Sequence, residues 1–230
     1  MGKYIAGESA EEALKYAKKL RPKKIIPIFD ILGEHATKKA EIVRVMGQYL
    51  HLLEKMHEQH VRGDISIKLT AFGLEIDPLL CYRAILHVAT KAASQNAIVW
   101  IDMENSPYTQ QTIRMYRKLR AQHENTGICI QTYLKRAKKD ILSLALDNPK
   151  IRLVKGAYPE PTDLVYDSHR KITDNFKELL KLCVEKNAYA AVASHDMEII
   201  SYALHLRPKK ERIEFQLLMG VREDEKKMLV

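Results

Sequence analysis

Short apolar runs alternate with longer amphipathic ones along the whole chain. KIIPIFDIL (24–32) has strand length and strand composition. The segment after it carries Ile42, Val45, Met46, Tyr49, Leu52, Leu53 and Met56 at spacings of three and four, the mark of a helix with one buried face. The unit recurs: DISIKLTAFG precedes a helix bearing Tyr82, Ile85, Leu86 and Ala89, and AIVWIDME precedes one bearing Ile113, Tyr116 and Leu119. GICIQTYL leads to DILSLAL, and IRLVKGAY leads through a longer connection to Ile172, Phe176, Leu179 and Cys183. AYAAVASHD leads to MEIISYALHL, and IEFQLLMG to a last helix over REDEKKML. Ahead of them all, Ser9 and Glu12 form a capping box for a short helix over about 9–20.

Strands that alternate with helices pair in parallel through right-handed crossovers. Nearly every strand here turns polar in its second half: Asp30, Lys68, Asp102 and Glu104, Gln131, Arg152 and Lys155, Ser194 and His195, Glu214 and Gln216. A (β/α) barrel gathers those strand ends on one face, where its active site lies. An open doubly wound sheet would concentrate chemistry at one or two switch points instead. The pattern therefore predicts an α/β, TIM-barrel-like fold, and with no linker or low-complexity block it predicts one domain over 1–230.

Composition narrows this only a little. The 46% hydrophobic and 29% charged content of the 230 residues is ordinary for a globular protein, and no run approaches the roughly 18 apolar residues of a membrane span. The N-terminus has no apolar signal core, so the expected location is the cytoplasm. Cys81, Cys129 and Cys183 lie far apart in apolar settings and read as buried thiols. The net charge of +9 sits in clusters such as KKLRPKK without interleaved aromatic or glycine patterns, which favours solvated helix ends over a nucleic-acid surface.

The candidate chemistry centres on IRLVKGAYPEP (151–161), where Arg152 and Lys155 interrupt a buried strand. Buried charge is costly unless paired. Asp102, ending the third strand, can face Arg152 across a barrel mouth; Lys68 adds a second cation that Glu104 is placed to offset. The competing reading is a salt bridge that merely closes the barrel top. His195, between Ser194 and Asp196, reads as a metal ligand, a general base or a packed core histidine, the functional roles together weighing about evenly with the structural one. The sequence has no HExxH or CxxC spacing and no GxGxxG or P-loop, so neither a tightly held metal nor a Rossmann-type nucleotide site is expected.

Six segments in order, SIKLTAFGL, IDMENS, IQTYLKR, RLVKGAYPEP, ASHD and EFQLLMGV, resemble the proline dehydrogenase family, with a similarity running from about Tyr4 to Val230. The resemblance is to the short monofunctional microbial form. It implies a distorted (β/α)8 barrel that holds FAD without a Rossmann motif. It further implies oxidation of L-proline to 1-pyrroline-5-carboxylate by hydride transfer to FAD, with electrons passing to a quinone at the membrane surface.

By the same resemblance Asp102 and Arg152 are the catalytic pair, and Lys68 and Tyr158 bind substrate. Met103, Gln131, Arg152, Lys155, Gly156, Ala157, Ser194 and His195 are the cofactor-binding set; no residue is assigned to a metal. Gly156 and Ala157 are expected to let the cofactor approach the backbone. In the family an eighth strand and a helix with paired arginines follow the last motif. Because this sequence stops at Val230, the expectation is a barrel truncated after its seventh strand, with Lys68 as the main grip on the proline carboxylate. The alternative is an impaired flavin- or ligand-binding barrel. Loose membrane-surface contact and a homo-oligomer are compatible with the sequence, which specifies neither.

Overall fold

The computed structural model describes residues 4–144, 148–221, 224, 226 and 229. Its elements run α1 (Ala10–Lys18), β1 (Ile28–Asp30), α2 (Lys39–Glu58), β2 (Asp64–Ile67), α3 (Pro78–Ala93), β3 (Val99–Ile101), α4 (Ser106–Arg120), β4 (Thr126–Gln131), α5 (Ala137–Leu144), β5 (Lys150–Val154), α6 (His169–Glu185), β6 (Tyr189–Val192), α7 (Met197–His205) and β7 (Ile213–Phe215). The expected strand-and-helix order is present throughout this span, whereas the helix foreseen over REDEKKML falls mostly outside the described residues.

Side-chain caps start several helices where the sequence places them. Asp77 accepts from the Leu79 and Leu80 amides, with Pro78 supplying the first helical residue of α3; Ser168 caps α6 and Asp196 caps α7. At α1 the Ser9 hydroxyl accepts from the Glu12 amide, 3.2 Å away, as expected. The return bond differs from a capping box, because the Glu12 carboxylate takes the Glu8 amide at 2.8 Å.

The strands form one parallel sheet in chain order, β1 to β7. Side chains alternate across it. Ile65, Ile67, Val99, Ile101, Ile128, Ile130, Ile151, Leu153, Ala190 and Val192 point outward into an apolar cluster with helix residues such as Leu53, Ile85, Ile113, Phe176 and Leu179. Burying each large aliphatic or aromatic side chain contributes about 1.5–3 kcal/mol, so this outer layer is what holds helices to sheet.

The inward layer is different in kind. One register row reads Asp30, Ser66, Trp100, Gly127, Lys150 and Tyr189, and another reads Cys129, Arg152, Ala191 and Glu214. The rings of Trp100 on β3 and Tyr189 on β6 lie 6.5 Å apart. In a flat sheet three strand steps would separate them by about 14 Å, so the sheet is curled toward a barrel with this polar layer on its concave side. Gly127 makes room for the curl's contents: a Cβ there would stand under 3.0 Å from carbons of the Trp100 indole.

Candidate active site

Five side chains from four strands converge on the C-terminal ends of the sheet. Arg152 Nη1 donates to Asp102 Oδ1 at 2.7 Å and to Ser66 Oγ at 2.8 Å. The Ser66 hydroxyl in turn donates to Asp102 Oδ1 at 2.9 Å, closing a three-membered ring of hydrogen bonds. Lys68 Nζ stands 2.8 Å from Asp30 Oδ2 and 3.4 Å from Asp102 Oδ2. Beneath, the guanidinium carbon of Arg152 lies 4.8 Å from the centre of the Trp100 ring. Arg152 is only 8% exposed, and its Nε and Nη2 have no hydrogen-bond partner among the described residues.

The counter-charge of Lys68 is therefore Asp30, and not Glu104 as the sequence suggested. Glu104 is buried, and both its oxygens serve Thr70: Oε1 accepts from the amide at 3.1 Å and Oε2 from the hydroxyl. Thr70 also accepts from the Ala36 amide at its carbonyl and from the His35 amide at its hydroxyl. Glu104 is thus an anchor for the β1–α2 connection. Burial pushes its carboxyl up, with the Thr70 bonds opposing.

Burial also pushes Asp30 up, with Lys68 opposing the shift. For Lys68, burial alone would lower the ammonium, but Asp102 and Asp30 outweigh it and hold it above the usual lysine value. The charges form one mutually coupled set graded in cover, with Arg152 buried, Lys68 and Asp102 partly covered, and Asp30 at the exposed rim.

The other expected site residues fall around this centre. Gln131 is buried, donates from Nε2 to the Glu104 carbonyl at 2.9 Å, and accepts the Ala157 amide at 3.3 Å. Met103 is packed inside the apolar cluster. Lys155 turns away toward β6, where its Nζ meets Asp196 Oδ2 at 2.6 Å, a bond that holds the Asp196 carboxyl below its usual range. Ser194 Oγ accepts from the Asp196 amide at 3.2 Å, and His195 Nε2 accepts the Leu218 amide at 3.0 Å. Tyr158, on the connection after β5, donates its hydroxyl to Glu34 Oε1 at 3.1 Å across the mouth.

Gly156 has a reason for being glycine that the sequence reading did not supply. Its φ is +125°, and a Cβ would stand under 3.0 Å from the Tyr133 ring. Tyr133 donates to the Tyr158 carbonyl at 2.9 Å, so ring and turn are packed as a unit.

Asp30 and Ser66 are the site residues missed from sequence. Asp30 stood among the polar strand ends without a partner assigned. Ser66 lies inside a strand as an ordinary small polar residue, and only its place in the same inward row as Trp100 would have pointed to it. Among the described residues no group of three or more His, Cys, Asp or Glu is arranged to hold a metal, and no helix is long and apolar enough to cross a membrane. The three cysteines are buried and free, with burial raising each thiol to about 12.

The curled parallel sheet is a half-barrel of the TIM-barrel-like α/β class, and its charged constellation lies at the C-terminal strand ends, the face on which barrels of that class carry their active sites. The family model described as proline dehydrogenase matches residues 13–230, and the chain belongs to that family. It is 32% identical over 231 residues to proline dehydrogenase 1 of Bacillus subtilis (strain 168), covering 99% of this chain and 76% of that protein. It is 30% identical over 236 residues to the proline dehydrogenase of Deinococcus radiodurans, again covering 99% and 76%. Among solved structures it matches proline utilization A (PutA) from Bdellovibrio bacteriovorus inactivated by N-propargylglycine, with TM-score 0.87 and 25% identity. That match covers 98% of this chain but only 29% of the other. The fold of Bradyrhizobium japonicum PutA is similar too, with TM-score 0.82.

Proposed function

We propose that the chain is an FAD-dependent oxidoreductase that converts L-proline to 1-pyrroline-5-carboxylate. Membership of the proline dehydrogenase family supports proline oxidation. The observation that carries the cofactor assignment is the unpaired edge of Arg152: Nε and Nη2 are buried and lack an acceptor among the described residues. Leaving such donors unpaired costs about 1–3 kcal/mol each, more for a charged group. The edge fits a ligand that brings acceptor atoms into the mouth, and the electron-rich ring nitrogens and carbonyls of a flavin are of that type. Arg152 would hold that ring, with Gln131, Lys155 and the Gly156–Ala157 turn beside it and Ser194 and His195 toward the remainder of the molecule.

FAD, when bound, supplies the hydride acceptor for this chemistry. Oxidation removes a hydride from C5 of proline and a proton from its nitrogen, leaving a C5=N double bond. The protein's part is placement and charge. Lys68 attracts the substrate carboxylate, and Tyr158 walls the mouth on the β1 side. Asp102 fixes Arg152, whose fixed cation near the acceptor stabilises negative charge that develops there. Electrons leave to a quinone in this proposal, and the basic surface favours docking at an anionic membrane face.

Release of free FAD from the denatured protein, read by mass spectrometry after reconstitution, tests the cofactor. A protein that takes up none when FAD is supplied contradicts the assignment.

A further inference from the structure

Arg152 could satisfy itself more fully than it does. An arginine beside a carboxylate ordinarily makes two parallel hydrogen bonds, one from each of two nitrogens to the two oxygens. Here Asp102 receives only Nη1, on Oδ1, while Oδ2 faces Lys68. Nη2 and Nε are left over in a buried position. Ser66 explains the asymmetry. Its hydroxyl accepts from Nη1 and donates to Asp102 Oδ1, so it holds the guanidinium and the carboxylate in a one-sided arrangement.

Ser66 is itself well fixed. It is 4% exposed, sits in register between Asp30 and Trp100, and its carbonyl accepts the Tyr49 hydroxyl at 2.6 Å. Trp100 blocks one face of the guanidinium from below. We infer that Ser66 is a positioning residue that keeps the Nε and Nη2 edge of Arg152 from folding back onto Asp102, so that it stays available to an acceptor on the bound cofactor. This rests on the FAD-dependent reading above.

Without the Ser66 hydroxyl, Arg152 is free to turn toward the two-bonded pairing with Asp102, which draws its charge away from the cofactor. The test compares Ser66→Ala, Ser66→Cys, which keeps the volume with a far weaker hydrogen-bonding group, and Ser66→Thr, which keeps the hydroxyl. FAD affinity of the apoprotein is read by fluorescence titration, and the two-electron midpoint potential of the bound flavin by equilibrium reduction with a reference dye.

The Ala and Cys variants should each lose about tenfold in FAD affinity. Their potential should move negative by about 30 mV, the equivalent of a tenfold change for a two-electron couple. Thr should restore both flavin readings. Folded Ala and Cys variants that match the wild type in FAD affinity and potential overturn the inference. So does collapse of all three variants, which makes the role of Ser66 structural alone. If the wild-type apoprotein takes up no FAD, the functional reading falls and the inference with it. If proline reduces the wild-type flavin while the variants are indistinguishable from it, only the inference falls.

Discussion

Arg152 Nη1 and Asp102 Oδ1 are 2.7 Å apart across the concave face of the sheet, joining the end of β3 to the middle of β5. Neither side chain is stable there alone, since removing one partner of a buried pair strands the other charge. In the proposed reaction the two act as one unit. Asp102→Ala and Arg152→Met should each slow flavin reduction by at least a hundredfold. The double variant should lose far less than the product of the single losses. Rapid-mixing absorbance measurements read this directly, and independent effects would contradict the pairing.

Lys68 is tied to two carboxylates, so its replacement does more than remove a handle for substrate. Hydrogen bonds to charged groups contribute about 1.5–3 kcal/mol. Lys68→Ala should therefore weaken proline binding by roughly tenfold or more. It also removes the ammonium from Asp30, whose carboxyl burial already pushes up, so the folded protein should lose thermal stability. Asp30→Asn in the Lys68→Ala background should return stability without returning affinity. Thermal unfolding and proline titration of the three proteins separate the two effects.

The floor under Arg152 is a matched pair of sizes. Gly127→Ala drives a methyl into the Trp100 indole and should destabilise by about 1–3 kcal/mol, as overpacking does. Trp100→Leu frees that space, so the double variant should be more stable than the sum of the two single losses predicts. Denaturant unfolding of the four proteins checks this.

At the opposite end of the strands, Asp64 has its carboxyl raised to about 6, first by burial, with its bond from the Ile98 amide opposing and Glu214 adding to the rise. The folded chain therefore holds this proton more tightly than the unfolded one. The stability it confers is fully present below about pH 4 and is lost as pH rises through about 6. Asp64→Asn keeps an acceptor for Ile98 without the charge. It should be more stable than wild type at pH 7–8, with the advantage shrinking toward pH 4. A constant difference between pH 4 and pH 8 would contradict the assignment.

Much of this was legible in the sequence. The outward layer of β2 to β6 is written as alternating Ile, Val and Leu, and the helices announce themselves by apolar spacing and by caps such as Asp77–Pro78. Asp102 and Arg152 could be paired from sequence because one is a charge just past an apolar strand and the other a charge set inside a strand, each in need of a partner. Which acid answers Lys68 could not. Asp30 and Glu104 are both carboxylates near strand ends, and the β1–β2 register brings the first to Lys68 while the second turns onto Thr70. Ser66 was invisible for a related reason: its importance lies in two hydrogen bonds to residues 36 and 86 positions away. Gly156 was noticed, but its neighbour Tyr133 is a tertiary fact.

The central claim is that this mouth oxidises proline through a bound flavin. Its most direct test is anaerobic addition of L-proline to the FAD-reconstituted protein while the flavin band near the blue end of the visible spectrum is followed. The account predicts bleaching of that band, with 1-pyrroline-5-carboxylate formed in equal amount, and loss of the response in Arg152→Met. Bound FAD that keeps its colour under saturating proline, while a chemical reductant still bleaches it, would contradict it.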